Sequence, residues 1–256
     1  METLLITQAR TGSTRLPKKV LLTIGGKSLL EIHLDRLSKS KLLNKIIIAT
    51  TIKSEDEAIV TLGKALNYEV YQGSEQDVLD RFYQAAKKYK PKYVIRLTSD
   101  CPLIDALLID ELIQGIKTKK IDYYTNTFVE KFPDGQDVEI FTFKALEKAW
   151  KEAKLQSERE HVTPYIRKNS SFLDGKLFTS DNYSCEKDYN FVRLTVDEEK
   201  DYEVIKYIIQ QLGTDKDWKT YADYYINNEE VNTINKGITR NEGYLKSLNK
   251  DTNENI

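Results

Sequence analysis

Leu4 to Leu21 reads LLITQARTGSTRLPKKVL. Leu4-Leu5-Ile6 is a short apolar run suited to a buried strand. It is followed at once by Arg10, Thr11, Gly12, Ser13, Thr14, Arg15, Leu16, Pro17, Lys18 and Lys19, a loop with four cations and no acid. Gly12 allows backbone turns that other residues resist. Hydroxyl groups stand beside it, and peptide N–H groups converge readily in such loops. At a strand's carboxyl end this composition suits an anion such as a triphosphate, although a solvated surface turn has the same composition.

The strand reading extends along the chain. Lys45 to Thr51, KIIIATT, is a continuous β-branched run of the kind covered on both faces, and Tyr68 to Tyr71 and Lys92 to Thr98 are further strands. Between them lie helical patterns at Ser28–Leu37, with Ser28 as N-cap, and at Glu55–Leu66, Asp77–Tyr89 and Leu107–Ile116. This alternation predicts an α/β fold, a mainly parallel sheet with helices on both faces. Ligands of such sheets sit at the strands' carboxyl ends, where the basic loop falls.

From Asp122 the rhythm breaks, with the turn Pro133-Asp134-Gly135 and helices over Lys144–Ala153 and Glu158–Arg167. Phe191 to Val196, FVRLTV, then reads as a return to the sheet, followed by a helix over Glu199–Gln211. The expected organisation is a nucleotide-binding domain over residues 1–121 and 191–226, an inserted lobe over 122–190, and a tail over 227–256 that packs loosely, with Lys250–Ile256 disordered.

With 256 residues, 40% hydrophobic and 31% charged, the chain has material for a substantial core, and its formal charge of −1 gives no global field for nucleic acid. Only Cys101 and Cys185 occur, without metal-type spacing, which fits a reducing cytoplasm. No segment approaches the roughly 18 apolar residues of a membrane span.

Several short patterns carry chemistry. Ile95-Arg96-Leu97-Thr98-Ser99-Asp100 resembles Val192-Arg193-Leu194-Thr195-Val196-Asp197, each run delivering an aspartate just past its end. Two carboxylates are what a nucleotide-bound Mg²⁺ needs, since phosphates and water supply its other ligands. Asp197 as a helix cap and Asp100 as a turn residue before Pro102 are the ordinary alternatives. Gly26-Lys27-Ser28 ends like a Walker A loop, but its first glycine would fall at Leu21, so a turn and helix cap is the reading. Ser74-Glu75-Gln76-Asp77 has the form of a capping box at the sheet's ligand edge. With His33 and His161 the only histidines, a histidine metal cluster is excluded by count.

In order, QARTGSTRLPKKVL, IIIATT, GSEQDVLDRFYQA, VIRLTSDCPLID, FPDGQDVEIF, REHVTPYI and RLTVDEEKDYE resemble the spore-coat polysaccharide biosynthesis cytidylyltransferases, relatives of CMP-KDO synthetase and the acylneuraminate cytidylyltransferases. The resemblance spans about Leu4 to Ile208. It implies a GT-A-like nucleotide-diphospho-sugar transferase fold and a nucleotidyltransferase that uses CTP with Mg²⁺, releases pyrophosphate and passes CMP to an acidic sugar. By position, Arg10, Gly12, Ser13, Arg15 and Lys19 match the triphosphate loop and Asp100 and Asp197 the metal ligands. Ala9, Gly73 and Ser74 fall at the base contacts, with Asp77 and Arg81 in the same block. Asp137, Glu139, Arg159 and His161 are candidates for the acceptor, in a lobe that in these families also forms a homodimer. One departure is Pro17-Lys18-Lys19, where the family usually has Pro-Gly-Lys. A GT-A glycosyltransferase using a nucleotide sugar, or a non-catalytic nucleotide-binding protein of polysaccharide assembly, are the other readings.

Overall fold

The structure, a computed structural model, describes residues 1–253. The chain opens with β1 (Thr3–Gln8), the short hairpin β2 (Thr23–Ile24) and β3 (Lys27–Ser28), and helix α1 (Leu29–Leu37). β4 (Lys45–Thr51), α2 (Glu57–Ala65), β5 (Glu69–Gly73), α3 (Val78–Lys87), β6 (Tyr93–Thr98) and α4 (Ala106–Lys119) follow in strict alternation. Then come β7 (Tyr123–Thr125), β8 (Glu139–Thr142), α5 (Phe143–Glu152), α6 (Gln156–His161), α7 (Pro164–Lys168) and β9 (Ser180–Asn182). Four helices close the chain: α8 (Glu199–Leu212), α9 (Trp218–Asn227), α10 (Glu229–Asn232) and α11 (Glu242–Asn253).

Seven strands form one sheet in the order β5-β4-β1-β6-β8-β7-β9, and β8 alone runs against the rest. The mainly parallel α/β architecture expected from the apolar runs is therefore present. Side chains alternate across β1: Leu5 packs with Ile95, Ile109 and Ile205 on one face, while Leu4 and Ile6 pack with Ile47, Phe82 and Phe141 on the other. Helices cover both faces, so the central strands β1, β4 and β6 bury side chains on both sides and read as largely apolar, β-branched runs.

The chain fills the sheet outward from β1 to β4 and β5, then crosses back to lay β6 on β1's other side. The reversal opens a crevice beyond the carboxyl ends of β1 and β6, the usual ligand position in such sheets. The residue after each strand continues the ladder, Ala9 N donating to Ala49 O at 3.0 Å and Ser99 N to Gln8 O at 3.0 Å. The basic loop and Asp100 thus leave the sheet side by side.

Residues 122–190, expected as an insert, supply β7, β8 and β9 to this same sheet. Phe191–Val196 is not a sheet strand. Among the described residues its one ladder contact is an isolated bridge between Arg193 and Asp134. Val192, Leu194 and Val196 alternate into the core as a strand's residues would, but the hydrogen-bonding groups go to the 133–136 turn and to Asp100. The tail is not loose either. Helix α11 packs on α6, with Ser247 and Asp251 buried, and Lys250 lies inside this helix; residues 254–256 of the segment expected to be disordered lie outside the described residues.

His33 is fully buried on α1. Its Nδ1 meets Cys101 O at 2.9 Å, a pure acceptor, so Nδ1 carries the proton and Nε2 accepts from Thr7 Oγ1 at 2.9 Å. Burial holds this imidazole down, to about 4. An unfolded histidine takes up a proton near pH 6.5, so the folded chain loses about 1.4 kcal/mol of stability per pH unit as pH falls from there towards 4. Denaturation midpoints followed across that range should show the slope, and His33→Gln should flatten it, leaving the share of His161, also held to about 4. An unaltered slope in the variant would contradict this assignment.

Candidate active site

Beyond the ends of β1 and β6 lies a cavity of about 330 Å³. The first loop supplies Ala9, Arg10, Gly12, Ser13, Arg15 and Lys19 to its wall, and Asp100, Asp197 and Arg81 face the same space. Two anchors shape the loop. Asp56, at the start of α2, takes Thr11 N and Thr11 Oγ1 at 2.7 Å each, and Thr11 O in turn accepts from Ser13 N and Lys18 N at 2.9 Å each. Burial raises the Asp56 carboxyl, but donors from Thr51 and Thr11 outweigh it and hold the group below its usual range.

The left-handed residue of this loop is Lys18, at φ 57° and ψ 21°, rather than Gly12. This accounts for the departure at Pro17-Lys18-Lys19, because a glycine would adopt that conformation without steric cost. Lys18 ends the loop and turns the chain into the single 3₁₀ turn Lys19–Leu21, aiming Lys19 inward.

Lys19 Nζ lies 2.7 Å from Asp100 Oδ2 and 2.7 Å from Asp197 Oδ1. Burial lowers the ammonium's pKa, yet the two aspartates more than compensate and raise it. Burial likewise raises Asp100, but Lys19 dominates and keeps this carboxyl far below the usual range. Asp197 is not a helix cap. Glu198 occupies that position, with Asp201 receiving Asp197 N and Glu198 N at 3.0 Å each, which leaves the Asp197 carboxylate free to face the cavity. Val196 N donates to Asp100 O at 2.8 Å and holds the two aspartates together.

Arg193 was not among the expected site residues, yet it supports this pair. Its guanidinium grips Asp201 at 2.8 and 2.9 Å, Asp134 at 2.6 Å and Asp197 at 3.4 Å. Arg96 holds the same place in the paired motif and donates to Glu139 at 2.6 Å. The shared arginine four residues before each aspartate was the available signal. Gly135, at φ 105°, allows the close approach: a Cβ there would meet Leu194 C at 2.7 Å.

Other expected residues divide. Arg81 is buried and donates to Ser74 O at 2.5 Å; burial and Arg10 depress its pKa to about 10. Buried Arg81 Nε and Gln8 Oε1 have no hydrogen-bond partner among the described residues. A polar, anionic ligand would relieve both the crowding of cations and these orphaned atoms. Gly73, Ser74 and Asp77 do not line the cavity. Asp77 caps α3 through Asp80 N and binds Arg159 at 2.5 Å, while Ser74 Oγ accepts from Asp77 N, so the expected box begins one turn before the helix. Arg159 also donates to Trp150 O and belongs to the packing of α6.

A second cavity of about 430 Å³ adjoins the first, and His161 lines both. Asp137 and Glu139 line it but hold Arg240 and Arg96 respectively. Arg167 also lines it and, among the described residues, pairs with no acid; it donates to Thr127 Oγ1 and Thr127 O. Helix α11, which no local pattern assigns to the site, contributes Glu242, Gly243 and Lys246 to the first cavity and Tyr244 and Leu245 to the second.

Asp100 and Asp197 offer two hard oxygens converging on one cation, a donor set that fits Mg²⁺ completed by phosphate and water. Among the described residues no cluster of three or more metal-type side chains exists.

Comparison with known proteins identifies the family. The cytidylyltransferase family pattern matches residues 4–236. An uncharacterised protein of Methanocaldococcus jannaschii is 42% identical over 91% of the chain and 94% of its own length. The spore coat polysaccharide biosynthesis protein SpsF of Bacillus subtilis is 35% identical over 82% of the chain and 87% of itself. A 3-deoxy-manno-octulosonate cytidylyltransferase of Elusimicrobium minutum matches about half of each chain, 48% and 50%, at 35% identity. The solved structure of a cytidylyltransferase from Leptospira borgpetersenii superposes with a TM-score of 0.84 at 33% identity, over 94% of this chain and 99% of that one. The chain belongs to the cytidylyltransferase family and is a CTP-dependent nucleotidyltransferase.

Because Lys18 holds a left-handed conformation, Lys18→Gly should raise stability by about 0.5–1 kcal/mol, the relieved strain being partly offset by glycine's entropy. Chemical denaturation measures it; a destabilised variant would mean that the Lys18 side chain makes a contact worth more than the strain.

Proposed function

We propose that this cytidylyltransferase transfers CMP from CTP to a sugar acid and releases pyrophosphate, in surface polysaccharide or glycan biosynthesis. The observation that carries this reading is the convergence of Arg10, Arg15 and Lys19 with Asp100 and Asp197 around one cavity. The acceptor class rests on the half-length match to 3-deoxy-manno-octulosonate cytidylyltransferases and on the adjoining cavity, whose Arg167 is free of acid partners among the described residues.

In the proposed reaction an acceptor hydroxyl oxygen forms a bond to the α-phosphorus of CTP. The bond from that phosphorus to the bridging oxygen breaks in line, pyrophosphate takes the electron pair, and the hydroxyl proton is released. Arg10, Arg15 and Lys19 bind the β and γ phosphates and stabilise the charge that grows on the leaving group. Gln8, Ala9 and Arg81 line the nucleotide's side of the crevice, and His161, neutral at pH 7, faces both substrates. Asp100 and Asp197 would hold Mg²⁺, which supplies charge neutralisation at the phosphates when bound. Holding the two substrates in adjoining cavities converts their encounter into a positioned one, the principal contribution available without a covalent intermediate.

The 122–190 stretch is proposed to bind the acceptor and to form a homodimer. Val129, Phe172, Leu173 and Leu177 are exposed apolar residues there, which supports the pairing. Mass measurement in solution tests it. The cytoplasm is the proposed location, consistent with two free cysteines.

Incubation with CTP, Mg²⁺ and a panel of sugar acids should yield a CMP conjugate by mass spectrometry with matching pyrophosphate. Product from a UDP-sugar and from none of the acids with CTP would favour the glycosyltransferase reading instead. With the best acceptor, Arg15→Ala and Asp100→Asn should each lower kcat/KM on the order of 100-fold. Unchanged turnover at saturating Mg²⁺ would remove those residues from the site.

A further inference from the structure

We propose that Lys19 is the resident cation of the Asp100–Asp197 pair in the nucleotide-free protein, so that a divalent ion enters only together with CTP, as the ammonium passes to the triphosphate. The inference rests on the metal role of the two aspartates proposed above and adds an order of events to it.

The ammonium occupies the inner oxygens of both carboxylates at once, Asp100 Oδ2 and Asp197 Oδ1, at 2.7 Å each. Those are the two carboxylates that would hold the metal. The outer oxygen of Asp197 is not free either, since Arg15 lies 3.2 Å and Arg193 3.4 Å from it. A free dication therefore approaches a carboxylate already faced by three cations.

Displacement of Lys19 by metal alone takes its ammonium from two carboxylates to a wall that offers no second such pair. The ammonium would move into a cavity walled by Arg10, Arg15 and Arg81. Of the other acids on that wall, Glu75 pairs with Lys53 at 2.5 Å and Glu242 with Lys246 at 2.8 Å and Arg15 at 3.3 Å, while Glu160 is a single carboxylate that accepts from Ser247 Oγ at 3.0 Å. A triphosphate changes this balance, because its oxygens give Lys19 and Arg15 new partners at the moment the metal arrives on the same phosphates. The exchange then keeps every charge paired, and without nucleotide it leaves the ammonium short of partners.

The local structure suits such a movement. Lys18 and the single turn that follows fix the backbone, and Val20 is buried beside it, so the flexible four-carbon stem of Lys19 carries the displacement. Lys19 is then a positioning residue for the metal as well as a phosphate ligand.

Mn²⁺ titration of the whole, nucleotide-free chain, read as loss of the free-ion EPR signal, tests the proposal. Lys19→Gln should bind Mn²⁺ at least about tenfold more tightly than wild type. Equal affinity would overturn it. Should Lys19→Gln fail to fold by circular dichroism, the ¹H–¹⁵N signal of the Lys19 ammonium in the unaltered protein decides. It should be unmoved by millimolar Mg²⁺ and shifted by Mg²⁺ with CTP, and a shift with Mg²⁺ alone would overturn the proposal. Asp100→Asn and Asp197→Asn separate the two levels. If either abolishes Mn²⁺ binding in the presence of CTP while wild type and Lys19→Gln bind free Mn²⁺ equally, only this proposal falls. If both variants bind Mn²⁺ with CTP as wild type does, the metal role of the aspartates falls with it.

Discussion

One ammonium between two carboxylates ties the molecule's working parts together. Lys19 comes from the loop after β1, Asp100 from the end of β6 and Asp197 from the extended run before α8, segments separated by 81 and 178 residues from the lysine. Each has its own support: Asp56 pins the loop, the parallel ladder delivers Asp100, and Arg193 holds the third segment through Asp201 and Asp134. Two half-buried carboxylates drawn to one point repel each other, and the cation between them offsets that repulsion. The fold therefore builds a place for positive charge, which the proposed reaction uses.

The second organising feature is the division of the crevice by α6 and α11. His161 stands at the junction, and its Nε2 lies 3.0 Å from Ser247 Oγ. Ser247 in turn donates to Glu160 Oε2 or Gly243 O, both pure acceptors, so the histidine must be the donor and its Nδ1 keeps the lone pair. Arg15 reaches both Asp197 and Glu242, which connects the phosphate end of the first cavity to the helix that walls the second. Residues 237–253 lie beyond the region matched by the family pattern, yet they form much of this wall.

The strands and the first loop were legible because their signals are local. A continuous run such as KIIIATT favours a doubly covered strand through its β-branched side chains, and Ser28 with Glu31 forms its capping box from residues three apart. The repeated arginine-to-aspartate motif likewise predicted that Asp100 and Asp197 belong together. Where the reading failed, the deciding partner was distant. FVRLTV has a strand's alternation, but no neighbouring strand offers it a ladder, so only the bridge to Asp134 forms. Asp77 and Arg159 were assigned to two different sites and instead bind each other across 82 residues. Helix α11 is polar throughout much of its length and reads as tail. Its position follows from contacts to Arg15, His161 and Ser157 that no local pattern announces.

Lys18 illustrates how structure converts an anomaly into a physical statement. A lysine in a left-handed turn costs backbone energy, and the chain accepts that cost because the turn is what aims Lys19 at the aspartates. The most direct measurement of the account is a crystal structure of the chain with Mn²⁺ and an unreactive CTP analogue, read by the anomalous signal of the metal. A manganese peak beside Asp100, Asp197 and the phosphates is expected, with Lys19 Nζ moved onto the triphosphate. Metal bound elsewhere, or Lys19 still seated between the two carboxylates beside a bound nucleotide, would contradict it.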